Sequence, residues 1–256
     1  MSENNATLHV IDIIEFKDKI GQLGIKLEFN ISSALRLFIA ELLPDVDKVL
    51  FIDSDTYISC GLVELYNTNL GDYPCAMVLD QPICGDLLNE CDLDDNSPYY
   101  NAGVILINLK YWREHGLQDK LISCYTTRKH FSVDDQGVIN TVLSKHTLRL
   151  PYKYNAMKII FSSNYKRFCN ANVQVGFATR DEFLEAKNHP VIVHFNGPAI
   201  RPWMRWCGHP YTKHFRKCLL ENFPKFKLWI PKQSKSFLIR QYIWNRFISR
   251  LYSYIE

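Results

Sequence analysis

Two aspartates at the end of an apolar run give the strongest chemical signal in this sequence. The run Lys48–Ile52 is rich in β-branched and aromatic residues, which predicts a buried strand. Asp53 and Asp55 follow at i, i+2 spacing, so in an extended segment both carboxylates point to the same side. Two hard oxygen donors at a strand's carboxyl end suit Mg²⁺ or Mn²⁺. The same letters also suit an Asp-rich turn, and the spacing leaves both interpretations open.

The segments that must position these aspartates alternate between strands and helices. Strands are predicted at residues 25–29, 48–52, 74–80, 100–108 and 191–194. Helices are predicted at residues 2–20, at 34–43 before Pro44, through Trp112 and at 134–143, with a polar loop at 85–98. Because strands that alternate with helices usually form parallel sheets, we expect an α/β domain with a mostly parallel sheet flanked by helices. Ligands of such sheets bind at the carboxyl ends of the strands.

Composition is that of a globular protein in a reducing compartment. The 256 residues are 47% hydrophobic and 22% charged, which is enough for one large domain or one domain with a tail. The eight cysteines include no C-x-x-C pair, so free thiols are expected rather than a disulfide scaffold or a zinc site. No apolar run approaches the roughly 18 residues of a membrane span, and no signal peptide is evident. We therefore expect a cytoplasmic protein.

Charge divides the chain into two parts. Residues 213–256 contain ten Lys or Arg and two acids, a net charge of +8, which leaves −5 for residues 1–212 out of the total of +3. We predict a catalytic domain at 1–212 and a basic, aromatic tail at 213–256. The tail predicts a helix at 235–255 with one apolar stripe, formed by Ile243, Trp244, Phe247, Ile248, Leu251 and Ile255. An anionic membrane surface is the expected partner, rather than nucleic acid, and a helix packed on the domain is the alternative.

Five segments, in this order, resemble the family 8 retaining glycosyltransferases, most closely those of bacterial lipopolysaccharide synthesis, with glycogenin as a more distant relative. They are Arg36 in SALRL, Asp53-Ser-Asp55, the run Tyr100–Asn108, Asp135-Gln136, and His194-Phe-Asn-Gly197 followed by Pro202-Trp203. The resemblance extends from residue 2 to about residue 210. It implies a GT-A-like nucleotide-sugar-binding sheet.

The resemblance also implies a role for each candidate residue. Mn²⁺, or Mg²⁺, would be held by Asp53, Asp55 and His194. The UDP-hexose donor would be bound by Arg36, Ser54, Asn101, Ala102, Gly197 and Arg201, and Gln136 and Asp135 would act at the reacting sugar. The implied reaction moves galactose or glucose to a saccharide or a lipid-linked oligosaccharide in lipopolysaccharide core synthesis. Such an enzyme would lie at the cytoplasmic face of the inner membrane.

Several of these residues also have ordinary structural interpretations. His194 could be a packed histidine at a strand end, and Arg36 could form a salt bridge on a helix surface. Asn101 could cap the backbone of its strand, and Asp135 could be a helix N-cap.

Three features depart from the family pattern. The family normally begins with a nucleobase-binding unit, and residue 1 of this chain corresponds to a position after that unit, so the catalytic domain is expected to be incomplete at its N-terminus. Gly137 stands where many relatives have a second carboxylate. The loop at 194–203 is one residue longer than usual and has Arg201 in place of Lys, which exchanges a point charge for a fork of donors.

Two other functions remain open from the sequence. A non-catalytic remnant of the same family would have lost part of its nucleotide pocket. A haloacid-dehalogenase-type phosphatase also places Asp-x-Asp after an apolar strand, but that class has Thr where this chain has Tyr57. Of the enzyme mechanisms, same-face attack by the acceptor is favoured over a covalent intermediate, because Gln136 is a poor nucleophile and Gly137 removes the nearest substitute. A covalent intermediate on Asp135 is the alternative.

Overall fold

The computed structural model describes residues 7–12, 14–22, 34–80, 85–128, 131–170, 178–197 and 201–230, and the single positions 236, 239 and 243. The predicted strand at 25–29 lies outside these residues, as does most of the predicted tail helix at 235–255. Seven of the eight cysteines are described, and all seven are free, as the composition predicts.

Two small sheets form the centre of the described structure. The strands are β1 (Lys48–Ile52), β2 (Thr56–Ile58), β3 (Cys75–Leu79), β4 (Tyr100–Asn108), β5 (Thr147–Arg149), β6 (Ala156–Met157) and β7 (Ile192–His194). The larger sheet has the order β1-β4-β3-β5, and the smaller one has the order β2-β7-β6. β3 is buried along its whole length, and β4 is buried except at Asn108, so these two strands form the middle of the hydrophobic core.

The α/β class is confirmed, but the described strands are mixed in direction rather than mostly parallel. β4 runs antiparallel to both β1 and β3, while β3 runs parallel to β5. In the second sheet, β7 is antiparallel to β2 and parallel to β6. The prediction of direction was wrong because a strand buried on both faces reads as the same continuous apolar run whichever way it points.

The pairing of β3 with β4 contains a break in register. Met77 pairs with Ile105, but the next residue, Val78, pairs with Asn101. Residues 102–104 of β4 are therefore skipped in the register with β3. Extra residues of this kind interrupt the hydrogen-bond ladder and free backbone groups for other partners.

Helices surround the sheets. They are α1 (Ile14–Gln22), α2 (Ile39–Leu42), α3 (Val63–Tyr66), α4 (Gly85–Glu90), α5 (Leu109–Glu114), α6 (Leu117–Thr127), α7 (Asp134–Leu143), α8 (Lys158–Ser162), α9 (Tyr165–Asn170), α10 (Arg180–Asn188) and α11 (Thr212–Asn222). Short 3₁₀ turns occupy Arg36–Phe38, Ser144–His146 and Tyr152–Asn155.

The first predicted helix and the polar loop differ from the structure. Residues 7–12 are not helical, and α1 begins only at Ile14, whose N–H donates to the Asp12 side chain at 3.0 Å. Leu8, which the helical periodicity places on the apolar face of that helix, is exposed. The segment 85–98 contains α4, and its Leu88 is buried in the core. A few apolar residues within a polar segment are enough to pack a short helix against the domain.

The beginning of the basic tail packs on the domain. In α11, the Phe215 ring lies 5.5 Å from the Phe195 ring, and Arg216 Nε donates to the Pro202 carbonyl at 2.9 Å. Within the described part of the chain, no helix combines the length and the hydrophobicity that a membrane span requires.

Candidate active site

The skipped residues of β4 provide the backbone of the candidate site. The Ala102 N–H donates to Gln136 Oε1 at 3.0 Å, and the Ala102 carbonyl accepts from Arg36 Nη1 at 2.6 Å. The Gly103 N–H donates to Asn101 Oδ1 at 3.0 Å. Side chains thus form the hydrogen bonds with Ala102 and Gly103 that a regularly paired neighbouring strand would otherwise form. The local break in pairing brings Arg36, Asn101 and Gln136 to one point on β4.

Arg36 bridges two carboxylates in the interior of the domain. Its Nη2 lies 2.7 Å from Asp53 Oδ1, and its Nε lies 2.9 Å from Asp135 Oδ2, the latter an ion pair without hydrogen-bond geometry. The guanidinium also lies 4.2 Å from the centroid of the Phe51 ring. A buried, stacked and doubly paired arginine differs from the salt bridge on a helix surface that the sequence left open. Arg36 therefore holds the Asp53 side chain in one orientation.

Asp55 divides its two oxygens between two partners. Oδ2 accepts from Arg201 Nη1, and Oδ1 lies 3.2 Å from His194 Nε2. Burial tends to raise the pKa of Asp55, but the contacts with His194 and Arg201 outweigh it and hold the pKa below its ordinary value. Asp55 is therefore ionised at neutral pH.

Three potential metal ligands converge at this place. His194 Nε2 lies 3.8 Å from Asp53 Oδ2 as well as 3.2 Å from Asp55 Oδ1. One ligand atom from each of the three residues falls within 4.8 Å of the others. In each aspartate an arginine occupies one oxygen while the other faces the imidazole. Two carboxylate oxygens and an imidazole nitrogen form a donor set that fits Mn²⁺ or Mg²⁺.

Gly103 makes room for the histidine ring. A Cβ at position 103 would lie 2.7 Å from His194 Nδ1, closer still to Cε1, and 3.0 Å from Asn101 Oδ1. Such approaches are well inside van der Waals contact, so any side chain at 103 would displace the imidazole. The glycine in the middle of β4 is thus a spatial requirement of His194.

A chain of amides lines the other side of the site. Gln136 Oε1 accepts from Asn101 Nδ2 at 3.2 Å, and Gln136 Nε2 donates to Asp80 Oδ2 at 2.8 Å. Asn140, one turn further along α7, fixes the helix on β4. Its Nδ2 donates to the Tyr100 carbonyl at 2.8 Å, and its Oδ1 accepts from the Tyr100 N–H at 2.7 Å. The amide of Gln136 is therefore fully engaged and rigidly placed.

Asp135 is an unusual carboxylate. It lies in α7 but is not the N-cap, which is Val133, and its side chain faces Arg36 instead. Burial raises the pKa of Asp135 to about 6, although Arg36 acts in the opposite direction. A proton is therefore bound more tightly by the folded chain than by the unfolded one.

This shift predicts a pH dependence of stability. The folded-state pKa of Asp135 is about 6 and the ordinary value is 3.8, so its contribution to the free energy of unfolding is fully present below about pH 4. It is lost as pH rises through about 6. Asp135→Asn should remove this decline, which denaturant unfolding of both proteins between pH 4 and pH 7 would measure. Asp119→Asn, on the surface of α6, is the control, and equal pH profiles for all three proteins would contradict the assignment.

The remaining predicted residues lie at the edge of the cluster. Ser54 is exposed in the turn between β1 and β2. Gly197 has a φ of 92°, a backbone conformation that favours glycine, and no atom of the described residues beyond its chain neighbours lies within 4 Å of a Cβ built there. Arg201 binds Asp55 and the Phe195 carbonyl, rather than standing free for a phosphate.

Gly137, which follows Gln136 in α7, lies against the ring of Phe131. A Cβ at this position would lie 2.5 Å from Phe131 Cδ1 and 2.9 Å from its Cγ. An acidic side chain at 137 would thus require Phe131 to move. Phe131 fills the space that a side chain at 137 would need.

Two residues of the site were missed by sequence reasoning. Asp80 follows β3 much as Asp53 follows β1, and this parallel was the available signal. Asn155 is completely buried and its Oδ1 lies 2.9 Å from His194 Nδ1. No spacing relates residue 155 to residue 194, so only the pairing of β6 with β7 reveals the contact.

Comparison with known proteins was made with the sequence and with the fold. The family model described as Glycosyl transferase family 8 matches residues 6–207. The lipopolysaccharide 1,2-glucosyltransferase of Escherichia coli strain K12 is 27% identical over 232 residues, which cover 86% of this chain and 63% of that protein. The lipopolysaccharide 1,3-galactosyltransferase of Salmonella typhimurium is 24% identical over 227 residues, covering 84% of this chain and 61% of that protein. The chain thus spans less than two thirds of each of these relatives.

The fold has a close counterpart among solved structures. The galactosyltransferase LgtC, solved in complex with donor and acceptor sugar analogues, superposes with a TM-score of 0.64 at 25% identity. The match covers 77% of this chain and 70% of that one. This likeness confirms the predicted GT-A-like fold.

Proposed function

Because this chain belongs to glycosyl transferase family 8, we propose that it transfers galactose or glucose from a UDP-hexose to a saccharide acceptor, with retention of configuration, in lipopolysaccharide core synthesis. Family membership favours a glycosyltransferase over the phosphatase alternative. The named relatives act on lipopolysaccharide with glucosyl and galactosyl groups, which supports the choice of sugar and acceptor class.

One observation carries the proposal. One oxygen of Asp53 and one of Asp55 face His194 Nε2, while Arg36 and Arg201 hold the other two oxygens. Asp53, Asp55 and His194 would hold Mn²⁺ or Mg²⁺ there. When bound, the cation supplies Lewis-acid stabilisation of the charge that develops on a leaving diphosphate.

The residues of this chain would divide the remaining tasks. Arg36 keeps Asp53 oriented and closes the interior side of the site. Ser54 and Gly197 would let the nucleotide approach the backbone, and Arg201 would exchange its contact with Asp55 for a phosphate oxygen. The exposure of Ser54 and the positive φ of Gly197 support these assignments.

The donor sugar would lie against the amides of Asn101 and Gln136, the backbone of Ala102, and Asp135. Gln136 is an amide with all its polar atoms engaged, which disfavours its action as a nucleophile. Asp135 is held by Arg36 at 2.9 Å. Both observations support same-face attack by the acceptor hydroxyl over a covalent intermediate on Asp135. The Gln136 amide, held by its protein partners, would act on the reacting sugar as a fixed dipole.

The test is calorimetric titration of the 256-residue chain with UDP and Mn²⁺, together with an assay of UDP release from UDP-galactose and UDP-glucose. We expect UDP binding that requires Mn²⁺ and is abolished by a chelator, and release that increases when a saccharide acceptor is added. UDP binding without turnover would identify the chain as a non-catalytic remnant. No binding of either UDP or Mn²⁺ would contradict the proposed function.

The C-terminal tail is proposed to attach the enzyme to the cytoplasmic face of the inner membrane, where a lipid-linked acceptor would be located. Six of the 17 exposed large apolar side chains of the described residues lie within or after α11: Leu220, Phe223, Trp229, Ile230, Ile239 and Ile243. Residues 213–256 carry a net charge of +8. Apolar side chains next to basic ones favour the boundary of an anionic bilayer.

We predict that the full chain sediments with vesicles containing anionic lipid and that a chain ending at Pro231 does not. Five Lys or Arg and one acid follow Pro231, and each basic residue near an anionic surface contributes about 1 kcal/mol. Binding should weaken as salt is raised from about 0.05 to 0.5 M. Vesicles of neutral lipid are the control. Equal sedimentation of the two chains would favour a tail packed on the domain.

A further inference from the structure

Asn155 is a buried polar residue beside the proposed metal site. It ends the 3₁₀ turn Tyr152–Asn155, immediately before β6, and has no solvent exposure. β6 runs parallel to β7, with Met157 in register with His194. The sheet therefore places the Asn155 side chain behind the imidazole, on the side away from the carboxylates.

Backbone donors determine which way the neighbouring amides point. Asn101 Oδ1 accepts from the Gly103 N–H at 3.0 Å, and Gln136 Oε1 accepts from the Ala102 N–H at 3.0 Å. A backbone N–H can only donate, so the oxygen of each amide must be the atom that faces it. The orientation of Asn101 thus does not depend on the usual ambiguity between amide oxygen and nitrogen.

The orientation of Asn155 follows from that of Asn101. Asn155 lies 2.8 Å from Asn101 Oδ1, an acceptor, so the atom in contact must be the donor Nδ2. The other atom, Oδ1, then lies 2.9 Å from His194 Nδ1. An amide oxygen only accepts, so Nδ1 must carry a proton.

We propose that Asn155 is a positioning residue for the metal centre, which keeps the proton of His194 on Nδ1 so that Nε2 is the nitrogen presented to the cation. The two ring nitrogens differ in surroundings, because Nε2 faces Asp53 and Asp55 whereas Nδ1 faces the amide oxygen of Asn155. A metal-bound histidine commonly donates its other N–H to an acceptor, which fixes the tautomer and the ring orientation.

The same contact links the metal ligand to the proposed sugar pocket. From His194, hydrogen bonds run through Asn155 and Asn101 to Gln136. This extension rests on the proposed function, whereas the protonation of Nδ1 does not. Asn155 therefore relates the position of the imidazole to the position of the amides that would contact the donor.

Two substitutions separate the two contacts of Asn155. Asn155→Leu removes both hydrogen bonds at similar volume and should weaken Mn²⁺ binding about 10- to 100-fold. Asn155→Asp retains an acceptor for Nδ1–H and should bind Mn²⁺ within about threefold of the unaltered chain. Phe168→Leu is the control for destabilisation, since the Phe168 ring lies 5.4 Å from the ring of Tyr152, which begins the same 3₁₀ turn as Asn155. Mn²⁺ affinity is measured by electron paramagnetic resonance without nucleotide.

The tautomer is measured without metal, by ¹⁵N–¹H correlation spectroscopy of the histidine side chains. We expect a slowly exchanging Nδ1–H signal from His194 in the unaltered chain, retained in Asn155→Asp and lost in Asn155→Leu. His194→Gln assigns the signal. An Nδ1 without a proton in the unaltered chain would overturn the proposal, as would an unchanged Mn²⁺ affinity in a folded Asn155→Leu. Failure of the unaltered chain to bind Mn²⁺ would instead contradict the proposed function.

Discussion

Asp53→Asn and Asp55→Asn should each lower the rate of sugar transfer by a hundredfold or more and weaken Mn²⁺ binding. Each substitution replaces the carboxylate that faces His194 by a neutral amide of the same size. A loss of about 3 kcal/mol of transition-state stabilisation corresponds to about a hundredfold in rate. Asparagine is preferable to alanine, because it retains an oxygen for Arg36 or Arg201.

Asp47→Asn is the matched control for these two variants. Asp47 lies just before the same strand and forms an ion pair with Arg113 at 2.8 Å, but its side chain is largely exposed. Surface pairs of this kind contribute little to stability. Activity should therefore be unchanged. If Asp53→Asn or Asp55→Asn retains full activity while circular dichroism shows an intact fold, the assignment of the metal site is wrong.

Gln136→Ala should lower kcat by about a hundredfold while UDP affinity stays within about threefold. The expected reason is that Gln136 acts on the reacting sugar in the transition state rather than on the nucleotide. The structure adds a second consequence. Removing the amide also leaves the Ala102 N–H without its acceptor and Asp80 without this donor, which should lower the free energy of unfolding by about 1–3 kcal/mol.

A surface glutamine elsewhere in the chain provides a matched control for Gln136→Ala. Gln118 is hydrogen-bonded to Glu41 at the surface, at 3.1 Å, and Gln118→Ala should change neither kcat nor UDP affinity. Steady-state kinetics and UDP titration of both variants give the comparison. A fall in UDP affinity that parallels the fall in kcat would make Gln136 a binding residue and remove its proposed role at the sugar.

Much of this site could be predicted because its residues follow strands that the sequence makes visible. The apolar runs that form β1, β4 and β7 placed Asp53, Asn101 and His194 at strand ends, and the segment that forms α7 was predicted with its structural bounds. The common feature is local: a run of apolar letters that ends abruptly in polar ones. Strand direction is not local, which is why the reversed β4 was not foreseen.

The contacts that hold the site in place could not be predicted from the sequence, because they join segments that are far apart in the chain. Asn155 is 39 residues from His194, and Arg36 is 66 residues from the Ala102 carbonyl that it binds. The break in register after Met77 has no signature in the letters of β3. Such features arise from how the strands are assembled, and a single sequence carries no direct record of pairing.

Gly103 shows that this site constrains attempts to stabilise the protein. Glycine within a strand usually costs about 0.5–1 kcal/mol relative to alanine, and replacing it is a common way to raise melting temperature. The position looks suitable for such engineering, since it is buried in a long strand and shows no positive φ. Yet a single added methyl group would occupy the space of the imidazole. Stabilising substitutions elsewhere in the sheet should be compatible with function. At position 103 the lower stability of glycine has to be retained, because only glycine leaves room for His194 to approach the carboxylates.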